Sequence, residues 1–179
     1  MKILIVNGKG RSGKNKFCEY AFYNRGLVYP ISTIDRVKQV ALFAGWSGEK
    51  DERGRRFLSD LKDAMSRYRD IPRNYVVDQI KNRLEVLDNS NMMVSSDAIF
   101  LVQSREPADI KRWVEENEAK SLLIRRASVD KTWNNHADDE VENYEYDYYL
   151  DNDGTLEDWE KKTVDFIDKL RMTGWKSRI

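Results

Sequence analysis

The segment Gly8-Lys9-Gly10-Arg11-Ser12-Gly13-Lys14 constrains this chain more than any other. It follows the apolar run Ile3 to Val6 and precedes Phe17, Cys18, Ala21 and Phe22 at helical spacing. A continuous run of β-formers reads as a strand buried on both faces, the kind found in parallel sheets. The glycines let the backbone curl until successive N–H groups converge. A helix starting near Lys14 adds its positive end. Such a cradle suits a phosphate chain, with the Lys14 ammonium bridging the β- and γ-phosphates. Gly8, Arg11, Ser12, Gly13, Lys14 and Asn15 are the residues expected to line it.

One position departs from the usual pattern. The residue after the lysine is ordinarily Ser or Thr, whose hydroxyl ligates magnesium, and here it is Asn15. A carboxamide oxygen can coordinate Mg2+ or hold one of its waters. The alternative is that Asn15 caps the helix in a protein whose catalysis has weakened. Gln103-Ser104 stand after the third strand, where an acidic magnesium-organising residue is usual.

The rest of the chain alternates strand and helix patterns. Leu27 to Ile31 reads as a second strand, with Ser32 and Thr33 as helix caps. Val37, Val40, Ala41 and Ala44 form a stripe that ends at Gly45. After the loop 45–51, Phe57, Leu58, Leu61, Ala64, Met65 and Tyr68 share a helical face. Pro72 suits the start of another helix, with Val76, Val77, Ile80, Leu84 and Leu87 inward. Ala98 to Val102, Leu122 to Ile124 and Tyr146 to Leu150 read as further strands, with a helix over Ala108 to Asn117. Thr155 to Met172 reads as a closing helix packed through Leu156, Trp159, Thr163, Phe166, Ile167 and Leu170, and Lys176 to Ile179 as a loose tail. The expected fold is α/β in three layers, with about five parallel strands and helices on both faces. One domain spans 1–179, with a helical insert at about 33–89 and a polar, lid-like segment at about 127–145.

Lys plus Arg (31) equals Asp plus Glu (31), which argues against a general nucleic-acid or membrane-surface binder. A single cysteine, Cys18, excludes a disulfide framework and a cysteine zinc site. No run has the length of a membrane span, and the short apolar N-terminus lacks a cleavage region. A cytoplasmic protein, monomer or homodimer, is expected.

Arg11-Ser12-Gly13-Lys14-Asn15 resembles the Ser-Gly-Lys-Asp loop of phage and bacterial deoxynucleoside monophosphate kinases and their relative phosphomevalonate kinase, with Asn in place of Asp and Lys16 where Thr is frequent. The likeness continues through Ile31 to Lys38, through Gly45 to Lys62, at Ser104-Arg105-Glu106-Pro107, at Asn135-His136, and along Asp147 to Leu156. The resemblance implies a P-loop NTPase fold and ATP-dependent phosphoryl transfer to a small phosphorylated acceptor, with ATP and Mg2+ as cofactors. A (deoxy)nucleoside monophosphate, a non-nucleotide phosphate such as phosphomevalonate, or nucleotide binding without kinase activity all remain open.

Phosphoryl transfer needs charge neutralisation and alignment more than covalent chemistry, so cations should converge on the site. Lys14, Arg105 and Arg126 are the expected catalytic residues. Arg105 stands just past a strand end, where α/β sheets bind ligands, and could fork onto an acceptor phosphate or pair with Glu106. Arg125 and Arg126 end the fourth strand, and in the family view one of them closes over the triphosphate. Ser32, Asp35, Arg36 and Arg55, with Arg105, are the acceptor-side candidates, and Lys50 lies beside Arg55. In similar kinases the loop corresponding to Asn152-Asp153-Gly154 lies beside the donor base, which marks Asn152 and Gly154. His136 lacks metal partners. Cys18 reads as core, and Trp46, flanked by Gly45 and Gly48, could stack on a base.

Overall fold

A computed structural model describes residues 1–49, 51–90, 95–129 and 141–179. Strand β1 (Lys2–Asn7) leads through the glycine loop into α1 (Lys14–Asn24), then β2 (Val28–Ser32) and α2 (Asp35–Phe43). Two long helices follow, α3 (Glu52–Arg69) and α4 (Ile71–Asn89). Then come β3 (Ile99–Gln103), α5 (Pro107–Asn117), β4 (Lys120–Arg125), β5 (Tyr148–Asp151) and α6 (Leu156–Met172). The strands form one sheet in the order β2-β3-β1-β4-β5, and every pairing is parallel. The expected α/β class, strand number and layering are therefore present.

Each apolar strand divides its side chains between two cores, as the period of two requires. Ile3, Ile5, Phe100 and Val102 meet Val76 and Ile80 of α4 and Ile110 and Trp113 of α5. Leu4, Val6, Leu101 and Ile124 meet Phe17, Cys18 and Ala21 of α1 and Trp159, Ile167 and Leu170 of α6. Pro30 is tolerated inside β2 because that strand is an edge of the sheet. A third cluster, Val37, Ala41, Leu58 and Met65, joins α2 to α3.

Several local expectations are corrected. Ser32 still belongs to β2, and the residue capping α2 is Ile34, without a side-chain bond. Thr33 is buried instead, its N–H and hydroxyl both donating to the Gln103 carbonyl at 3.2 Å. On α3 the inward row is Leu58, Leu61 and Met65, and the adjacent row Phe57, Ala64 and Tyr68 is exposed. A helix of 3.6 residues per turn separates the two rows by about 100°, and only one faces the neighbouring helices. Leu156 is exposed in the first turn of α6, which is held by a reciprocal cap: Thr155 Oγ1 accepts from Asp158 N at 3.1 Å, and Asp158 Oδ2 from Thr155 N at 3.0 Å. The C-terminal tail is docked. Ser177 Oγ accepts the Ile3 N–H at 2.9 Å, Ser177 N donates to Met1 O, and Arg178 N donates to Asn117 O. It satisfies backbone groups at the start of β1 that would otherwise end the sheet unpaired.

Strand β5 is short and is pinned by Asp147 just before it. Its carboxylate accepts from Lys120 Nζ at 2.6 Å and from the Ser121 N–H and hydroxyl at 2.8 and 2.9 Å. Burial alone would raise the Asp147 pKa, but Lys120 and Ser121 hold it below the ordinary aspartate value. A group with a lowered folded pKa stabilises fully above its unfolded pKa and loses that contribution as pH falls through the folded one. Acid titration of stability should therefore show a component below the ordinary aspartate range that Asp147→Asn removes, with a loss at neutral pH of about 1–3 kcal/mol. Urea melts across pH 2 to 7 on the order of one unit apart would check this; an unchanged pH profile would rule out the pinning role.

Candidate functional site

Loops that leave the C-terminal ends of β1 and β3 turn to opposite faces of the sheet, because α1 joins one core and α5 the other. In open parallel sheets that divergence creates the ligand crevice. The glycine loop and the Arg105 loop are its two walls.

The loop has the backbone its sequence requires. Arg11 adopts φ of 63° and Gly13, the N-cap of α1, adopts φ of 105°. Ser12 N donates to Lys9 O at 3.2 Å, closing the turn. A Cβ on Gly8 would strike the Ile124 carbonyl, and one on Gly13 would strike Asn152 Nδ2 and lie 3.2 Å from Trp159 Nε1. Both positions are thus reserved for glycine by contact as well as conformation. Lys14 opens α1 and is 8% exposed. Its ammonium folds back to donate to the Gly8 carbonyl and, at 2.8 Å, to the Lys9 carbonyl. These carbonyls hold the cation where an anionic ligand can take it over. Lys9 pairs with Glu142 at 2.6 Å.

Sequence reasoning missed the residue that ties the walls together. Asn7, the last residue of β1, is 0% exposed. Its Oδ1 accepts the Gly8 N–H at 2.8 Å, while Nδ2 donates to the Arg105 carbonyl at 3.0 Å and to Tyr146 Oη at 2.7 Å. The Tyr146 hydroxyl in turn donates to the Val141 carbonyl at 2.9 Å. Burial pushes the Tyr146 phenol up to about 12, so it stays a neutral donor. The available signal was a polar residue closing an otherwise apolar buried strand.

Lys62 was also missed. It reaches from α3 to Glu106 and, at 3.2 Å, to Asp109. Burial alone would lower its pKa, but Asp109 and Glu106 hold it above the ordinary lysine value. The strut clamps α3 to the Arg105 loop, and it gives Glu106 a partner other than the neighbouring arginine.

The expected site residues fall into groups. Lys14, Gly8, Ser12 and Gly13 share the loop, Arg11 and Asn15 lie on its exposed side, and Arg105 begins the opposite wall with an exposed side chain. Asp35 lies one strand further out, where its Oδ2 accepts the Ser32 N–H at 3.0 Å. Arg36 turns along its own helix and donates to Gln39 at 3.0 Å. Arg55 is exposed in the first turns of α3, whose N-cap is Asp51, accepting from Gly54 N at 2.7 Å. Arg125 forks onto Asp151 at 2.8 and 3.2 Å and lies over Tyr149, and Arg126 beside it is exposed as well. The Asn152 side chain lies under the glycine loop, donating to the Ser12 carbonyl at 2.9 Å, and Gly154 is exposed beyond it. Trp46 packs beside the α2–α3 cluster, its N–H on the Glu49 carbonyl at 3.0 Å. Cys18 is core; burial pushes its thiol up to about 12, and Gln103 Nε2 donates to its sulfur at 3.3 Å. Lys50, Asn135, His136 and most of the expected lid lie outside the described residues.

The donor set can be tested against magnesium. Among the described residues no group of three His, Cys, Asp or Glu could hold a metal. Asn15 offers one exposed neutral oxygen at the mouth of the loop. Magnesium keeps several waters and commonly takes one or two protein ligands plus substrate phosphates. These residues fit an ion carried by a triphosphate, for which Asn15 would be the protein ligand. Among the described residues no helix is long and apolar enough to cross a membrane.

No protein-family model matches the chain, and no curated protein matches it. Among solved structures it is similar to a dephospho-CoA kinase from Campylobacter jejuni, at 15% identity and a TM-score of 0.46, over 94% of this chain and 97% of that one. It is also similar to TT1252 from Thermus thermophilus, at 14% identity and a TM-score of 0.48, over 97% of this chain and 98% of that one.

Proposed function

We propose that the chain is an ATP-dependent phosphotransferase whose acceptor is a small phosphorylated molecule, a (deoxy)nucleoside monophosphate by first choice. The observation that carries this reading is the pair of crevice walls. A glycine loop with its lysine ends β1, and an arginine loop ends β3, bound to the first through Asn7. One wall suits a triphosphate and the other a second phosphate.

In this reading the loop N–H groups and the positive end of α1 hold the β-phosphate. Lys14 leaves the Gly8 and Lys9 carbonyls and spans the β- and γ-phosphates. Magnesium, held by Asn15 and the phosphates, would supply further charge neutralisation. Arg105 grips the acceptor phosphate, and Arg126 and Arg11 offset charge on the donor. An acceptor phosphate oxygen attacks the γ-phosphorus in line as the bond to the β–γ bridging oxygen breaks, leaving ADP. A phosphate acceptor with a second pKa of about 6 is already ionised near neutrality, so this step needs no general base. Ser32, Asp35, Arg36 and Arg55, on the corner after β2 and on α2 and α3, form the acceptor side, within an insert spanning about 33–89.

ADP release should be followed by a coupled assay with a panel of nucleoside and deoxynucleoside monophosphates, and with phosphomevalonate. Turnover of at least one nucleoside monophosphate is expected. A second reading, nucleotide binding without transfer, is favoured by Asn15 and by Gln103 at the end of β3. Tight ATP binding with silence toward every acceptor would establish that reading and exclude the first.

A further inference from the structure

The β5–α6 corner reaches under the phosphate loop and bonds two successive carbonyls of it. Asn152 is 7% exposed, and its backbone N–H extends the β4–β5 ladder by donating to Arg125 O at 2.8 Å. Its Nδ2 donates to Ser12 O at 2.9 Å. Trp159, 2% exposed, points its indole N–H at Gly13 O, 3.4 Å away, and that oxygen also accepts from Phe17 N at 2.9 Å.

We propose that Asn152 is a positioning residue for the phosphate cradle and not a contact to the nucleotide base. A trans peptide unit is planar, with its C=O and N–H pointing in opposite directions. Holding the Ser12 carbonyl on the Asn152 side therefore turns the Gly13 N–H to the other side, the open side of the loop. That peptide is the one most able to rotate. It precedes Gly13, which has φ of 105°, and lies close to Arg11, already at φ of 63°. Rotation would aim a carbonyl oxygen at the phosphate in place of an N–H, replacing attraction by repulsion. Asn152 opposes this by making the rotated state lose a buried hydrogen bond. The fit is close, since a Cβ on Gly13 would occupy the Asn152 amide position. The inference rests on the reading that this loop binds a triphosphate, but it does not require transfer.

Inorganic tripolyphosphate, which has no base, separates the two roles when titrated calorimetrically beside ATP. Asn152→Ala should weaken ATP and tripolyphosphate by the same factor, about ten-fold. Asn152→Asp keeps the shape but sets a carboxylate against the Ser12 carbonyl and under the cradle. It should weaken both ligands further, about a hundred-fold, and lower the melting temperature as well, so the titrations are run below the onset of its melting. Loss of ATP affinity with tripolyphosphate unchanged would make Asn152 a base contact and overturn the inference. Unchanged binding of both ligands, or failure of the unsubstituted protein to bind tripolyphosphate, would overturn it as well. Parallel weakening in a protein that phosphorylates no acceptor would leave the inference standing while the proposed transferase activity falls.

Discussion

Replacing Lys14 by alanine is expected to lower turnover by about 10³-fold or more, a loss of roughly 4 kcal/mol of transition-state stabilisation. The side chain is buried at the start of α1, with its ammonium held by the Gly8 and Lys9 carbonyls. Among the described residues no other lysine shares that position: Lys9 faces Glu142, and Lys16 pairs with Glu19 on the exposed side of the helix. The loss should be electrostatic more than structural. The loop remains held from below by Asn152 and at its entrance by Asn7, so circular dichroism and thermal melting should change little. Calorimetric titration should show ATP affinity reduced by at least about ten-fold. ATP binding within two-fold of the unsubstituted protein, in the same assay, would separate this loop from phosphate.

The second large effect is on folding. Asn7→Leu keeps the branched outline of a fully buried side chain and removes all three of its hydrogen bonds. The Gly8 N–H and the Arg105 carbonyl then lie beside a hydrocarbon, and the Tyr146 hydroxyl loses its donor. Each buried polar group left without a partner costs about 1–3 kcal/mol, so a total of about 2–5 kcal/mol is expected. For a chain of this size that corresponds to a fall in Tm of roughly 5–15 °C. Asn7→Asp retains the acceptor for Gly8 but turns a carboxylate toward the Arg105 carbonyl, and should be destabilised to a similar degree. Differential scanning calorimetry decides the matter: a melting temperature unchanged in both variants would show that Asn7 does not join the two walls of the crevice.

The parts of this architecture that depend on short-range pattern were legible in the chain. Ile3 to Val6, the glycine run and the stripe through Phe17, Cys18 and Ala21 specify strand, loop and helix within the first 21 positions. The alternation that follows specifies a parallel sheet. Side-chain partners across the sheet were not legible. Asn7 reads as ordinary punctuation after a strand until β3 and Tyr146 are brought beside it. Lys62 reads as a solvated lysine on α3 until α5 supplies Glu106 and Asp109. The exposed row Phe57, Ala64 and Tyr68 has the same apolar pattern as its neighbour, and only the placing of α2 and α4 selects between them. Ser177 shows the same limit, since a polar tail gives no sign that the start of β1 needs its hydroxyl. In the site, the loop residues could be chosen from spacing alone. The role of Asn152 could not, because its amide acts on a carbonyl 140 residues earlier in the chain.

Gly8 to Lys14 is expected to hold the phosphates of a nucleotide, with Lys14 exchanging its carbonyl partners for them. A crystal structure of the protein grown with ADP tests this most directly. The β-phosphate is expected inside the loop, facing the Gly13 and Lys14 N–H groups, with the Lys14 ammonium moved from the Gly8 and Lys9 carbonyls onto a phosphate oxygen. ADP bound elsewhere, with Lys14 still on those two carbonyls, would contradict it.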